Sequence, residues 1–399
     1  MKHLKLFTCV IVVSIILITG CKKDISTNPD AGLQTESKLS AKQSNILSPE
    51  LKAKLTRLRS SLPAGYQKRL EQNSKLFLKM HPEYRYRVNR ALHVIEPTPC
   101  NDNTALSQWL GGQLADWDDV VIFFALVTGM LDFPTYDALL FENSSANQYF
   151  GVNGEYTQRV TKTFKDLKRF WNIQTNGIVL AAMHGSMLRN RDKVIRIDMI
   201  LYGDSPSVAA FWADLIISLL NDIPQYRNGN HPIFTFNAFA QPSFPFPPFG
   251  TVPDKIVMGD GIMHAYTAIG YGDVAPQAIL AHEMGHHIQF QLNLFEDESS
   301  PEATRRTELM ADAYSAYYLS HSRGASMQWK RVKLFLQVFF NIGDCSFTSD
   351  GHHGTPTQRM AAAEWGYSVA DNAQKQGHIL TAQEFTAKFE AQLPAIIAH

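Results

Sequence analysis

The stretch LAHEMGHHIQF, residues 280–290, constrains this chain most strongly, because its histidines and glutamate recur at helical spacing. On a helix, His282 and His286 lie one turn apart, and their imidazoles reach the same side. That spacing lets two ring nitrogens share one zinc ion at about 2.0–2.1 Å. Glu283 lies about 100° further round the helix, where it can act as a general base on a water at the metal. The stretch therefore predicts a hydrolytic zinc site, with a wet, histidine-rich helix face as the alternative.

A second stretch, RRTELMADAYSAYY, supplies the carboxylates that such a site needs. Glu308 and Asp312 are four residues apart and share one face of a predicted helix. We expect Glu308 to be the third zinc ligand, since catalytic zinc takes three protein ligands and keeps one position open. Asp312 is then expected to accept the N–H of one zinc-bound histidine and to orient its ring. Alternatively, the two acids form a solvated face or pair with Arg305 or Arg306.

Capping residues predict where these two helices begin. Asp273 is the expected cap of the first helix, and Pro276 falls in its first turn. Ser300 and Pro301 have the same roles in the second helix. Gly285 leaves one face of the first helix narrow, so that substrate or a neighbouring helix can approach.

A third stretch, GHHGTPTQRM, predicts another helix start. Thr355 is its cap, Pro356 takes the first helical position, and Gln358 reaches back to complete a capping box. His352 and His353 therefore lie in the loop just before this helix. They either donate hydrogen bonds near the metal or, as the more common role, pack within the loop.

The sequence gives less specific indications for the other polar side chains near these motifs. Arg359 is expected to pair with a carboxylate inside the fold, and His287 points away from the ligand face and is interpreted as structural. Candidates for stabilising an oxyanion are His264, Tyr266, Tyr271, Tyr314, Tyr317 and Tyr318.

The N-terminus has the pattern of an export signal. Residues 1–20 have a lysine-containing start and then an apolar run shorter than the roughly 20 residues that span a bilayer. The sequence ITGC resembles the lipobox of bacterial lipoproteins, which implies cleavage before Cys21 and acylation of its thiol. An uncleaved anchor is the alternative. Lys22 favours the outer membrane of the bacterial envelope, facing either the periplasm or the cell surface.

The rest of the chain divides by composition. Residues 21–46 are polar and predict a flexible tether. We expect a helical N-terminal region over 47–240 and a catalytic region over 241–399, which can form one domain with 100–240. Without the signal, 35 basic residues face 37 acidic ones, since two of the 37 lysines and arginines leave with it. This balance gives no indication of a nucleic-acid partner.

Local patterns predict the secondary structure. Residues 47–92 are helical with a break at Pro63 and Gly65, and residues 104–142 form two helices, with VVIFFALVTGMLD buried. VTKTFKDLKRFW is an amphipathic helix. GIVLAAMHGSML, KVIRIDMILYG and DKIVMGD predict strands, and FTFNAFAQPSFPFPPFG predicts a short strand followed by an irregular loop. Cys100 and Cys345 either form a disulfide or remain free thiols.

The motif HEMGH followed by ELMAD resembles the gluzincins, the zincin group that includes thermolysin. More closely, APQAILAHEMGHHIQ, RRTELMADAYSAYYL and GHHGTPTQRMAAAEWG resemble a family of bacterial neutral zinc metallopeptidases, over about residues 250–367. The resemblance implies an α+β fold that is mostly α-helical and zincin-like, with a small β-sheet beside the HExxH helix. It also implies Zn2+ held by His282, His286 and Glu308, with Glu283 catalytic and Asp312 supporting a ligand.

These features together predict a membrane-anchored zinc-dependent hydrolase, a metallopeptidase that acts on peptide or protein substrates. The alternative is a catalytically inactive lipoprotein whose zinc site serves a binding or scaffold role. A second alternative is an anchored scaffold without metal.

Overall fold

The computed structural model describes residues 47–80, 104–295, 300–341, 353–374 and 377–399. The predicted signal, Cys21, the tether, Cys100, Cys345 and His352 lie outside these residues. The described chain is mostly helical with a small sheet, which confirms the predicted class of an α+β, mostly α-helical protein. Its helices are α1 (Pro49–Ser60), α2 (Tyr66–Met80), α3 (Ala105–Gln113), α4 (Asp119–Thr128), α5 (Phe133–Leu140), α6 (Thr157–Phe170), α7 (Arg191–Tyr202), α8 (Pro206–Asp222), α9 (Asp260–Ala268), α10 (Ala275–Gln291), α11 (Pro301–Ser320), α12 (Trp329–Asn341), α13 (Pro356–Gln374) and α14 (Ala382–Ile397).

The sheet has the strand order β1-β5-β2. Its strands are β1 (Val179–Met183), β2 (Ala238–Gln241) and β5 (Lys255–Gly259). β1 runs parallel to β5, and β2 runs antiparallel to it. All three confirm the strand predictions, which came from apolar and β-branched residues or, for β2, from alternating aromatic and polar residues. Because β1 and β5 pair directly, the sheet joins residues on both sides of position 240.

Two strand and loop predictions are corrected. The segment KVIRIDMILYG forms α7 rather than a strand. Asn190 caps this helix by accepting from the Lys193 N–H, and Gly203 ends it at a left-handed φ of 68°. Val194 and Ile197 are three residues apart and buried on one face, which is helical spacing. The predicted irregular loop after β2 contains a short hairpin of β3 (Phe244–Pro245) and β4 (Thr251–Val252).

The apolar run VVIFFALVTGMLD is a core helix, as predicted. The side chains of α4 from Val121 to Thr128 are buried. Residues 104–142 contain three helices instead of two, because Gly129 adopts a left-handed φ of 77° and α5 begins soon afterwards. Among the described residues, Asp119–Leu140 is long and apolar enough to cross a membrane, and 78% of its most apolar window is buried inside the protein. A second candidate arises only if α8 is joined to Pro224–Thr235 across a 105° bend.

Helices α10, α11 and α13 pack closely because small residues line their contacts. A Cβ added to Gly285 of α10 would lie 3.1 Å from the Cα of Ala311 in α11. The expected approach of a neighbouring helix at Gly285 is therefore confirmed. A Cβ added to Gly366 of α13 would overlap the backbone carbonyl of Ala313 on the other side of α11. Two glycines thus let α11 lie against both of its neighbours.

Replacing Gly366 with alanine is expected to lower the free energy of unfolding by about 1–3 kcal/mol, because overpacking forces the backbones apart. Gly111→Ala in α3 is the matched control, since a Cβ there meets nothing within 4 Å. Alanine's higher helix propensity should leave that variant as stable as the parent protein or more stable. Urea unfolding of both variants measures the difference. Equal stabilities would show that the contact between α11 and α13 is not tight.

Candidate metal centre

Helix α10 carries the HExxH residues through the interior of the protein. It begins at Ala275, with Pro276 in its first turn as predicted. Val274 occupies the capping position without a side-chain hydrogen bond, so the prediction of Asp273 as the cap is wrong. The Asp273 carboxylate instead lies 3.4 Å from Arg331. Nearly all of α10 from its first residue to Gln289 is buried, which is the pattern of a helix surrounded by protein.

Three predicted ligand residues converge at one point. The Nε2 atoms of His282 and His286 are 3.1 Å apart. Glu308 places Oε2 at 3.3 Å from the first nitrogen and Oε1 at 3.4 Å from the second. A tetrahedral zinc with bonds of about 2.0–2.1 Å separates neighbouring ligand atoms by about 3.3 Å. Each ring nitrogen therefore lies at about that spacing from the other and from one Glu308 oxygen, and the three side chains are the one group among the described residues that could hold a metal ion.

In both histidines a hydrogen bond at Nδ1 fixes the imidazole ring so that its other nitrogen, Nε2, points toward the other ligand residues. His282 Nδ1 lies 2.9 Å from Asp312 Oδ1. His286 Nδ1 lies 2.8 Å from Gln289 Oε1, and the Gln289 amide N–H donates to the Thr307 carbonyl. Because both Nδ1 atoms face oxygen acceptors, Nδ1 is the atom that keeps a proton when a metal binds, and Nε2 is the atom that binds the metal.

Asp312 therefore lies where the sequence predicted it. Gln289 was missed, although it is three residues after His286 on the same helix, a spacing at which side chains meet.

The electrostatics of the group favour a cation at its centre. Burial alone would raise the pKa of Glu308, but His353, His286 and His282 lower it well below its usual value. Burial alone would lower the pKa of His282, but Asp312 and Glu308 raise it to about 10. Both Glu308 oxygens are buried without a hydrogen bond to the described residues. A buried carboxylate is costly unless positive charge lies beside it, and Arg359, 3.7 Å from Oε2, supplies part of the charge that a metal ion would complete.

Glu283 is next to the ligands on α10 and has a different environment. Its side chain is buried, and its Oε2 has no hydrogen-bond partner among the residues that the structure describes. Burial raises the pKa of Glu283, and the two neighbouring histidines oppose that shift. A carboxylate with a raised pKa holds a proton more readily, which suits a group that accepts and returns one.

Arg359 secures the carboxylate that orients His282. Its Nε and Nη2 each lie 2.6 Å from one oxygen of Asp312, so the pair is bidentate and fully buried. This confirms the predicted pairing with an internal carboxylate. The helix that carries Arg359 begins as predicted, since Thr355 and Gln358 bond each other's backbone N–H. Burial alone would lower the pKa of Arg359, but Asp312 and Glu308 raise it.

His353 also reaches the centre, which the sequence left open. Its Nδ1 lies 3.3 Å from Glu308 Oε2, and its side chain is buried. The group of ligand atoms within 4.8 Å of one another comprises His282, His286 and Glu308, without His353. His353 is therefore a neighbour of one ligand rather than a member of the triad.

The remaining candidates lie elsewhere or have other partners. His287 Nε2 bonds the Lys255 carbonyl, and burial lowers its pKa to about 4, which confirms the structural interpretation. The Tyr266 hydroxyl donates to Val338, and the Tyr317 hydroxyl accepts from Leu380. Other aromatic candidates also have contacts of their own: Tyr314 with Thr386, Tyr318 with Phe170 and His264 with Trp109.

Comparison of the chain with protein-family models, with curated proteins and with solved structures finds no significant match. The resemblance to neutral zinc metallopeptidases and the zincin-like topology therefore stay predictions that depend on the motifs. The geometry of the metal centre is independent of them.

Proposed function

We propose that this protein is a zinc-dependent hydrolase, most simply a metallopeptidase, held at the bacterial envelope by a lipid on Cys21. The proposal depends on one observation, the convergence of His282, His286 and Glu308, whose nitrogens and oxygens lie 3.1–3.4 Å apart. Glu283 adds a buried carboxylate on the same helix, with one oxygen unpartnered among the described residues.

The donor set favours zinc over the other common divalent ions. Two imidazoles and one carboxylate are ligands typical of catalytic zinc, whereas calcium and magnesium take mostly oxygen. When bound, zinc supplies a strong Lewis acid that polarises a carbonyl and lowers the pKa of water to about 7. Three protein ligands leave a fourth position for that chemistry. Closure of that position by His353 would instead indicate a structural site and favour the alternative of a binding or scaffold protein.

The chain's own residues supply the proton transfers. Glu283 accepts a proton from the attacking water and delivers it to the leaving amine of a peptide. Its raised pKa, caused by burial, makes it a stronger base than an exposed glutamate. Asp312 and Gln289 hold the two imidazole rings so that the ligand atoms stay in place.

The proposal is tested on the purified protein by metal analysis and chelation. We expect one zinc per chain and cleavage of a mixed peptide library detected by mass spectrometry. Dialysis against a chelator should abolish cleavage, and added zinc should restore it. Protein without zinc, or cleavage that persists after the metal is removed, would contradict the proposal. Zinc at full occupancy without any cleavage would favour the binding or scaffold role.

Zinc binding is expected to strengthen as the pH rises. In the metal-free protein the carboxylates raise the pKa of His282 to about 10, so this ring holds an extra proton at neutral pH. A metal must displace that proton, so the apparent affinity should rise about tenfold per pH unit below that pKa. Competition with a chelator from about pH 6 to about pH 8 measures the slope, after correction for the chelator's own protonation. A flat profile would show that no proton leaves the site.

A further inference from the structure

A second polar site lies at the carboxyl ends of the parallel strands β1 and β5. His184 directly follows β1, and Asp260 directly follows β5. In sheets with parallel strands, ligands often bind beyond the carboxyl ends of the strands. A cavity of about 300 Å³ opens there, with His184 in its wall. The residues that line it include none of the metal ligands.

His184, in the cavity wall, forms a fixed pair with Asp260, which is not among the lining residues. His184 Nδ1 lies 2.7 Å from Asp260 Oδ2, and the Gly151 N–H donates to Asp260 Oδ1 at 3.0 Å. The imidazole stacks on the ring of Tyr149, with centroids 4.0 Å apart and planes 16° apart. The described contacts thus engage Nδ1 and one ring face. His184 is held in one orientation, and its Nε2 has no partner among the described residues, so it can bond a ligand.

The acidic and basic groups at the cavity compensate each other once Arg196, which is not among the lining residues, is counted. Lys193 Nζ lies 2.7 Å from Asp137 and 2.9 Å from Glu142. Arg196 pairs with the other oxygen of Asp137, and Gln148 donates to the other oxygen of Glu142. An anionic ligand would meet the two carboxylates, and a cationic ligand would meet the lysine. Neither sign of charge therefore gains from entering.

We infer that this cavity binds a neutral, hydroxyl-rich ligand of the size of a single sugar unit. Hydroxyl groups both donate and accept, which matches a wall that offers the His184 ring nitrogen beside the Lys193 ammonium and the Ser186 hydroxyl. Tyr149 is 44% exposed, so part of its ring is open to the apolar face of a sugar. A volume of about 300 Å³ is at the small end of ligand pockets, which suits one unit rather than a chain.

The test is saturation-transfer NMR on the intact protein with four sugars: glucose, galactose, mannose and N-acetylglucosamine. We expect transfer to the ring protons of at least one of them. His184→Asn should weaken that binding by about tenfold or more, because asparagine can still donate to Asp260 but lacks the second ring nitrogen and the ring that stacks on Tyr149. His264→Asn is the matched control, since His264 is exposed and lies against Trp109 outside the cavity.

Tyr149→Ala is a second, independent test of sugar binding, because removing this exposed side chain should leave the protein folded even if His184→Asn does not fold. It should also weaken the sugar signal, while the zinc content of the protein stays unchanged. The inference is overturned if none of the four sugars shows transfer, or if both cavity variants bind like the parent protein. Displacement of the sugar by inorganic phosphate or by ethylamine would also overturn it, since that result would indicate recognition of charge.

Discussion

Replacing Glu283 with glutamine is expected to leave one zinc per chain and to lower kcat/KM for peptide cleavage by about 100- to 10,000-fold. Glutamine has nearly the same shape, but its amide cannot accept a proton from water. The ligand atoms of His282, His286 and Glu308 are not altered by this change, so the metal should remain. Metal analysis by mass spectrometry and initial cleavage rates on one identified peptide measure the two quantities together.

Glu302→Gln is the matched control, because Glu302 is an exposed glutamate in the first turn of α11. It should cleave like the parent protein. His286→Ala should behave differently from both, since it removes a ligand and should lose the metal itself. If Glu283→Gln kept its rate within about tenfold, the assignment of Glu283 as the base would be wrong. If that variant lost zinc, Glu283 would have to be counted among the groups that shape the metal site.

The metal centre could be predicted from the sequence because its residues fall in two pairs, and the two members of each pair lie close together in one helix. His282 and His286 lie one helical turn apart, and so do Glu308 and Asp312. Helix geometry fixes which side chains share a face, whatever the rest of the chain does. What helix geometry cannot supply is the approach of the two helices, which depends on the contact at Gly285. The ligand role of Glu308 therefore had an alternative until the distances were known.

Predictions failed where the local pattern was ambiguous. The segment of α7 is rich in β-branched residues, which favour strands, but the cap at Asn190 and the stop at Gly203 decided for a helix. Asp273 had the right chemistry for a cap, yet its carboxylate lies beside Arg331. The contact with Arg331 is made in the folded protein between residues far apart in sequence, so the residues next to Asp273 could not predict it.

Other features depend on pairing between distant parts of the chain. His184 and Asp260 are 76 residues apart, and only the parallel register of β1 with β5 brings them together. The bidentate contact of Arg359 with Asp312 spans 47 residues. The sequence predicted an internal carboxylate partner for Arg359 without identifying it. Identifying it required the packing of α13 on α11, which Gly366 permits.

Arg359→Met is expected to lower the free energy of unfolding of the metal-free protein by about 3–5 kcal/mol, because it removes the cation that bonds both oxygens of the buried Asp312 carboxylate and leaves it only the His282 ring. The pair is fully buried, and Arg359 also lies 3.7 Å from Glu308. Methionine fills most of the volume of the arginine stem, so the loss should come from charge rather than from a cavity. Urea unfolding measures this change.

The same variant should bind zinc about 10- to 100-fold more weakly, because an Asp312 that has lost Arg359 is free to move and no longer fixes the His282 ring. Arg191→Met is the matched control. Arg191 makes the same two-bond contact with Asp214, but both side chains are largely exposed, so solvent screens the pair and its loss should change stability far less. If both variants lost the same free energy of unfolding, burial would not explain how much the ion pair of Arg359 with Asp312 contributes to stability. Reduced stability with unchanged zinc affinity would show that Asp312 orients His282 without help from Arg359.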